Sequence, residues 1–200
     1  MVNAGVEPPG ATSDGRFQML VICTANRCRS PLAEVIIRDA FERRGVVASV
    51  GSAGVLPGGH PAEPGSQWAA RHLGFDLSTH SSRQVTAAMI DAADIVVTME
   101  ASHVLDLVSV TPGCRSRTLT LRELALRAED DSGTDVFDLD RLLEWIRAAA
   151  DRPLSALLTG DLDIEDPIGR PRRAFRTTAR DIGGLVDVVF DRWFGPAVDD

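Results

Sequence analysis

The sequence predicts an α/β protein: a single domain built on a four-stranded parallel sheet with helices on both faces, Rossmann-like or flavodoxin-like in arrangement. Three features carry that expectation. Short apolar runs alternate with amphipathic segments of helical period, the pattern of strands joined by crossover helices. The first apolar run leads at once into a polar loop and a helix start, the unit that places ligands at the carboxyl ends of strands. The chain has 200 residues, 44% hydrophobic and 25% charged, which suits one packed globular domain.

Phe17 to Cys23 (FQMLVIC) is a short apolar run suited to a buried strand. An amphipathic helix follows over about Ser30 to Arg44. Leu32, Val35, Ile36 and Ala40 form its apolar side, and Arg38, Asp39, Glu42 and Arg43 face water. Pro31 stands where a first-turn proline is tolerated, and Gly45 is placed to end the helix. Val46 to Val50 reads as a second strand, and Gly51-Ser52-Ala53-Gly54 with Pro57-Gly58-Gly59 as a long loop. A helix covers about Pro64 to Leu73. Asp94 to Met99 (DIVVTM) is another buried strand, a helix runs through Leu105 and Val108, and Arg117 to Leu121 is the fourth strand.

From about Leu121 to Thr159 the pattern is less regular. An acidic patch at Glu129-Asp130-Asp131 precedes a helix-like stretch from Asp138 to Ala150, and the region reads as an insertion. The last element, about Pro171 to Phe194, spaces Ile182, Leu185, Val189, Trp193 and Phe194 near the helical period despite Gly183-Gly184, and is expected to close one face of the sheet. The expected organisation is a flexible tail over 1–15, one domain over 16–195 with the insertion at about 121–159, and a short tail over 196–200.

Twenty-one basic residues against 29 acidic ones give a net charge of −8, so the molecule repels polyanions and nucleic acid is not an expected partner. No apolar run approaches the roughly 18 residues that span a bilayer, and Met1 to Gly15 lacks an apolar signal core, so a cytoplasmic protein without membrane association is expected. A monomer is the default. Cys23, Cys28 and Cys114 are odd in number and lack paired metal spacing. His60, His72, His80 and His103 form no metal motif either, so no metal and no cofactor are assigned.

The chemistry is expected in Cys23-Thr24-Ala25-Asn26-Arg27-Cys28-Arg29-Ser30. A thiol between a strand's carboxyl end and a helix's amino end is well placed to ionise, because loop N–H groups and the helix dipole favour negative charge there. The same N–H groups can cradle a phosphate dianion. Arg29 can fold back and offer a planar fork to phosphoryl oxygens, and Ser30 can donate to the sulfur. A leaving oxygen also needs a proton, which a carboxylic acid at the mouth supplies. Asp166, before Pro167, is one candidate; Asp161, Asp163 and Glu165 compete with it on residues alone.

The loop and the Asp-Pro pair together resemble the low-molecular-weight protein tyrosine phosphatases, whose loop has the form C-x-G-N-x-C-R-S and whose acid lies in an Asp-Pro dipeptide near the C-terminus. Further matches are Ser52-Ala53-Gly54 and His80-Ser81-Ser82-Arg83-Gln84, and the similarity runs from about Phe17 to Phe194. The resemblance implies that Cys23 is the nucleophile and forms a phosphocysteine, that Arg29 binds the phosphoryl group, and that Asp166 acts as acid and then as base. It also implies that Ser30 holds the thiolate and that Asn26, supported by Ser52 and His80, shapes a phosphate-binding loop made with Thr24, Ala25, Arg27 and Cys28. The expected partner is a phosphorylated protein, with phosphotyrosine as the residue acted on. Three residues depart from the family pattern. Ala25 stands at its glycine, which requires φ below zero there; Arg27 replaces an apolar residue; and Ile168-Gly169 follow the acid where relatives carry aromatics.

Two other readings compete. One is a thiol-dependent arsenate reductase on the same scaffold, though Glu100 to Val110 holds no resolving cysteine and Cys114 lies beyond it. The other is a non-catalytic phosphate-binding module, against which stand both Cys23 and Asp166. Cys28 reads either as a packed residue of the loop or as a redox guard able to bond an oxidised Cys23.

Overall fold

The computed structural model of the protein describes residues 16–133, 138–159 and 161–196. The tail expected over 1–15 and residues 197–200 of the other lie outside the described residues, as do 134–137 and 160 of the expected insertion. Four parallel strands form one sheet in the order β2-β1-β3-β4: β1 (Phe17–Cys23), β2 (Ala48–Gly54), β3 (Ile95–Thr98) and β4 (Thr118–Thr120). Among the described residues seven α-helices accompany them: α1 (Arg29–Glu42), α2 (Pro64–His72), α3 (Ala87–Asp91), α4 (Ala101–Val110), α5 (Leu121–Asp130), α6 (Leu139–Ala150) and α7 (Arg172–Phe194). Among the described residues no helix is long and apolar enough to cross a membrane.

Strand periodicity sorts the core into two layers. Met19, Val21 and Cys23 of β1 join Ile95, Val97 and Leu119 against α1, α2, α5, α6 and α7. Leu20, Ile22 and Val96 point the other way, toward Ile90, Leu107 and Cys114. The larger layer holds the aromatic cluster: Phe41 meets Phe190 edge-on at 4.7 Å, and Trp193 is fully enclosed. The chain starts at β1, pairs β2 on one side and crosses to β3 on the other. The crevice at the carboxyl ends of β1 and β3 is therefore the switch point where such sheets bind ligands.

The expected strand over Val46 to Val50 is displaced. β2 starts at Ala48 and runs through Ser52-Ala53-Gly54, which the turn-forming residues had marked as loop. Tertiary pairing overrides local preference here, because Val21, Ile22 and Cys23 of the central strand register against Ser52, Ala53 and Gly54. The region expected to be irregular after Leu121 opens instead with a regular helix. Thr120 and Glu123 close a capping box on α5, whose Leu121, Leu124 and Ala125 are buried. α6 matches the stretch read from Asp138, whose side chain accepts from the Arg141 N–H as N-cap. α3 was not anticipated. α7 matches its expected span, and nothing lies within 4 Å of a side chain built at Gly183 or Gly184, so both sit in the helix without a packing role.

β4, α5 and the end of α6 are tied by a buried ion pair. Arg152 and Glu123 are 6% and 5% exposed, and Arg152 Nη2 donates to Glu123 Oε2 at 2.6 Å. Arg152 also reaches the carbonyl of Ala150. Burial pushes the Glu123 carboxyl up and Arg152 down from their ordinary values, each opposed by the other's charge. Removing one partner strands a charge, so Glu123→Ala should lower unfolding stability by about 3–5 kcal/mol. The double change Glu123→Leu with Arg152→Met should recover most of that loss in urea denaturation; equal losses would show that the pairing is not what matters.

Candidate active site

β1 ends at Cys23 and α1 begins at Arg29, so the loop between them sits at the sheet's switch point with its sulfur on the α1 side. Cys23 is 2% exposed, and its Sγ lies 3.0 Å from the Ser30 hydroxyl. Asn26 has φ of 52°, the one non-glycine residue with positive φ among those described, so Ala25 meets its condition. Asparagine tolerates this conformation better than most side chains.

Both ends of the Asn26 side-chain amide, and its backbone carbonyl, are occupied. Its Oδ1 accepts from the Arg83 N–H at 3.0 Å, which settles which end of the amide is nitrogen. Its Nδ2 donates to Ser30 Oγ at 2.9 Å and to Ser52 Oγ at 2.8 Å. The His80 Nε2 donates to its carbonyl at 2.7 Å. Ser52 in turn donates to Glu34 Oε2 at 2.5 Å. Because Ser30 Oγ receives a hydrogen from Asn26, its own proton is free to point at Cys23; its other acceptor, the Ala53 carbonyl, is farther at 3.4 Å. Gly54 seals the back of the loop. A methyl group there would lie 2.7 Å from Asn26 N, 2.8 Å from the Ala25 carbonyl carbon and 2.9 Å from Thr24 O, all backbone atoms that cannot yield.

Arg29 is 1% exposed and lies across the loop. Its Nη1 pairs with Glu100 and donates to the Ile164 carbonyl at 2.9 Å. Its Nη2 donates to Asp166 Oδ2 at 2.6 Å and to Thr24 Oγ1 at 3.1 Å. Its Nε is buried without a protein partner. Burial would lower the guanidinium's pKa, but Glu100 and Asp166 outweigh it and raise the value. Burial likewise works against the Glu100 carboxylate, and the hydrogen bond and charge of Arg29 hold it below its ordinary range.

The segment before α7 brings in the carboxylates expected to compete for the acid's place. Asp163 accepts from the Ala101 N–H at 2.7 Å, and Ile164 N–H bonds the Met99 carbonyl at 2.8 Å. These contacts tie the segment to the end of β3 and the start of α4. Glu165 pairs outward with Arg170 at 2.5 Å. Of the four carboxylates between Asp161 and Asp166, only Asp166 touches Arg29, and its own Oδ1 accepts from the Ile168 N–H at 3.0 Å.

The remaining loop residues have distinct surroundings. Arg27 is held at the rim by Glu63 at 2.7 Å and donates to the Pro61 carbonyl. Cys28 is buried, accepts from Ser66 Oγ at 3.0 Å, and burial pushes its thiol up to about 12. Cys23, Cys28 and Cys114 are all free. Glu34, Glu100 and His103 were given no part in the site by the sequence, yet each touches it; Asp163, a competitor for the acid, anchors its segment instead, and Arg83 of the matched stretch from His80 to Gln84 holds Asn26. His103 is 2% exposed, with Nε2 3.1 Å from Thr24 Oγ1, and burial lowers its pKa so that it stays neutral. Glu100 was findable: it follows the carboxyl end of β3, where ligand-side residues are expected. Among the described residues no group of three or more His, Cys, Asp or Glu side chains is placed to hold a metal ion.

The family model described as low molecular weight phosphotyrosine protein phosphatase matches residues 18–138. A probable low molecular weight protein-tyrosine-phosphatase of Ralstonia nicotianae, EpsP, is 33% identical over 106 residues, which is 53% of this chain and 71% of that one. Etp, a low molecular weight protein-tyrosine-phosphatase of Escherichia coli K12, is 34% identical over 102 residues, 50% of this chain and 66% of that one, so the sequence match spans about two thirds of these relatives. Solved structures match over more of the chain. A low molecular weight protein tyrosine phosphatase from T. tengcongensis aligns with a TM-score of 0.67 at 27% identity over 88% of this chain and 98% of that one. The YwlE arginine phosphatase from Geobacillus stearothermophilus aligns with a TM-score of 0.64 at 25% identity over 88% and 91%. With its loop, its fold and its sequence in agreement, the chain belongs to the low molecular weight phosphotyrosine protein phosphatase family.

Proposed function

We propose that this phosphatase removes the phosphoryl group from phosphotyrosine in proteins through a phosphocysteine intermediate on Cys23. The observation that carries the reading is Arg29 Nε, a buried donor without a partner, beside an Nη2 that holds a carboxylate. Those two N–H groups form one edge of the guanidinium, the edge that grips two oxygens of a phosphoryl group. An incoming dianion takes that edge and displaces Asp166 from it, while Nη1 stays on Glu100 and Ile164.

Asp166, displaced from Arg29, takes up a proton from solvent; Cys23 Sγ then attacks phosphorus as the thiolate while the bond to the leaving oxygen breaks, and Asp166 gives that oxygen the proton. Water then attacks the phosphocysteine, its proton passes to Asp166, and the sulfur leaves as a thiolate received by the Ser30 hydroxyl. Arg29 holds the equatorial oxygens in both steps.

One observation favours a second substrate, phosphoarginine. The side chains beside the loop and after the acid are aliphatic: Leu56, whose N–H bonds the Thr24 carbonyl, and Ile168, 49% and 44% exposed. Neither stacks as an aromatic ring would, and the YwlE neighbour is titled an arginine phosphatase. Arsenate reduction has less support, because Cys114 is wholly enclosed in the core and the Cys28 thiol, pushed up to about 12, is a weak nucleophile.

Cys23→Ser should reduce aryl phosphate turnover by on the order of 10³-fold or more while the fold persists; wild-type rates in that variant would remove Cys23 from the nucleophile's role. For Asp166→Asn, steady-state rates should fall by roughly 10²–10⁴-fold on substrates with poor leaving groups and far less on activated phenols. Uniform slowing across a leaving-group series would reassign the acid. Side-by-side kcat/KM values for phosphotyrosine and phosphoarginine peptides decide the substrate: a clear preference for phosphoarginine replaces the first reading with the second.

A further inference from the structure

Four arginines line the solvent side of the first half of α7. Arg172, Arg173, Arg176 and Arg180 fall within about 100° of arc at 100° per residue, and all are exposed. None of the four forms an ion pair among the described residues, whereas Arg27, Arg29, Arg38, Arg43 and Arg170 each face a carboxylate. In a chain of net charge −8, a run of unpaired guanidiniums on one surface is a local reversal of sign. The helix itself gains nothing from it, since α7 carries no acidic residue in its first turn and cations there oppose its dipole.

The stripe begins at the rim of the catalytic crevice. Arg172 lies six residues after Asp166 and stacks over Trp68 of α2 at 6.0 Å. The Phe175 ring presses on Gly65 at the start of α2 so closely that a methyl group there would sit 2.6 Å away. The start of α2 holds the phosphate loop, through Glu63 N–H to the Arg27 carbonyl at 2.8 Å and Ser66 to Cys28. On the other side, Thr178 Oγ1 donates to the Glu165 carbonyl at 3.4 Å. The stripe thus runs outward from the point where the loop, α2 and the acid segment meet.

We propose that this arginine stripe docks acidic residues that flank the phosphorylated residue of a protein substrate. The proposal rests on the phosphoprotein reading above and adds sequence context to it. Position argues for a substrate segment over a nucleic acid or a lipid surface: the stripe adjoins the crevice, and the negative charge of the whole chain repels an extended polyanion. A short acidic segment, within a Debye length of about 10 Å of the stripe, feels mainly the local field.

The test uses two phosphopeptides with the same central phosphorylated residue, one flanked by Asp and Glu and one by Gly and Ser, each prepared with phosphotyrosine and with phosphoarginine, together with an aryl phosphate. At low salt the wild-type chain should favour the acidic peptide by about tenfold in kcat/KM, chiefly through KM, with the preference fading as salt is added. The triple variant Arg172→Ser, Arg173→Ser, Arg176→Ser should lose that preference while aryl phosphate turnover stays within about twofold, and the corresponding three Arg→Lys changes should keep most of it. An acidic preference that is absent in the wild type, or unchanged in the Arg→Ser variant, overturns the proposal. So does loss of binding to duplex DNA or phosphatidylserine vesicles in that variant with peptide preference intact. If none of these phosphorylated compounds is hydrolysed, the functional reading fails separately, and fluorescence anisotropy with the same peptides still decides whether the stripe binds acidic flanks.

Discussion

The site depends on the saturation of one amide. Asn26 holds a left-handed backbone that an L-residue adopts at some cost, and four hydrogen bonds from three separate segments compensate for it. Their polarity matters as much as their number. With Oδ1 committed to the Arg83 N–H, both Nδ2 hydrogens must go outward to Ser30 and Ser52. Each serine then has a lone pair filled and a proton to give: Ser52 gives to Glu34, and Ser30 is free to give to the sulfur 3.0 Å away. A chain of donors runs from the amide in two directions, ending on a carboxylate at one end and on the proposed nucleophile at the other. Reversing the amide would put an acceptor against Ser30 and turn its proton away from Cys23.

A second constraint follows from burying Arg29. A guanidinium enclosed to 1% exposure is unfavourable unless paired, and here two carboxylates and a carbonyl share it. The two carboxylates are not equivalent. Glu100 starts α4 and is braced by Ser102, while Asp166 sits on an exposed segment with about a third of its side chain in water. In the proposed reaction Glu100 is the partner that stays and Asp166 the one that exchanges. A phosphoryl dianion that replaces Asp166 leaves the guanidinium paired throughout, so the crevice changes its anion without passing through an uncompensated buried charge.

Much of this was legible because it is local. The eight-residue loop, the strand before it and the helix after it are contiguous, so apolar run, polar loop and helix start lie within one window. Cys23, Arg29 and Ser30 all belong to that one loop, and Cys23 meets Ser30 at 3.0 Å. Asp166 was not legible on residues alone: four carboxylates crowd one short segment, and what selects among them is the anchoring of Asp163 on α4 and the outward pairing of Glu165. Glu34 was invisible for a different reason, and Arg83 stood in a stretch that the resemblance marked without giving it a role. Glu34 looks like an ordinary surface charge of its helix, and only the packing of β2 against the loop brings both residues to Ser52. The misplacement of β2 has the same origin, since Ser-Ala-Gly composes a turn in isolation and becomes a strand only beside Val21 to Cys23.

The anchoring of the acid segment also limits how the proposed reaction can move. Asp163 is fixed to the first N–H of α4, Ile164 is bonded at its N–H to Met99 and at its carbonyl to Arg29, and the Glu165 carbonyl is held by Thr178. Beyond the acid, the Arg170 N–H closes a turn on the Pro167 carbonyl. The backbone is thus restrained on both sides of Asp166, and Pro167 restricts it further by disfavouring the helical conformation at the residue before it. What remains free is the Asp166 side chain, whose Oδ1 is tethered to Ile168 and whose Oδ2 alone contacts Arg29. In the proposed reaction, exchange of Arg29 for a leaving oxygen needs rotation of that one carboxyl group, while the backbone of the rim stays held by these contacts.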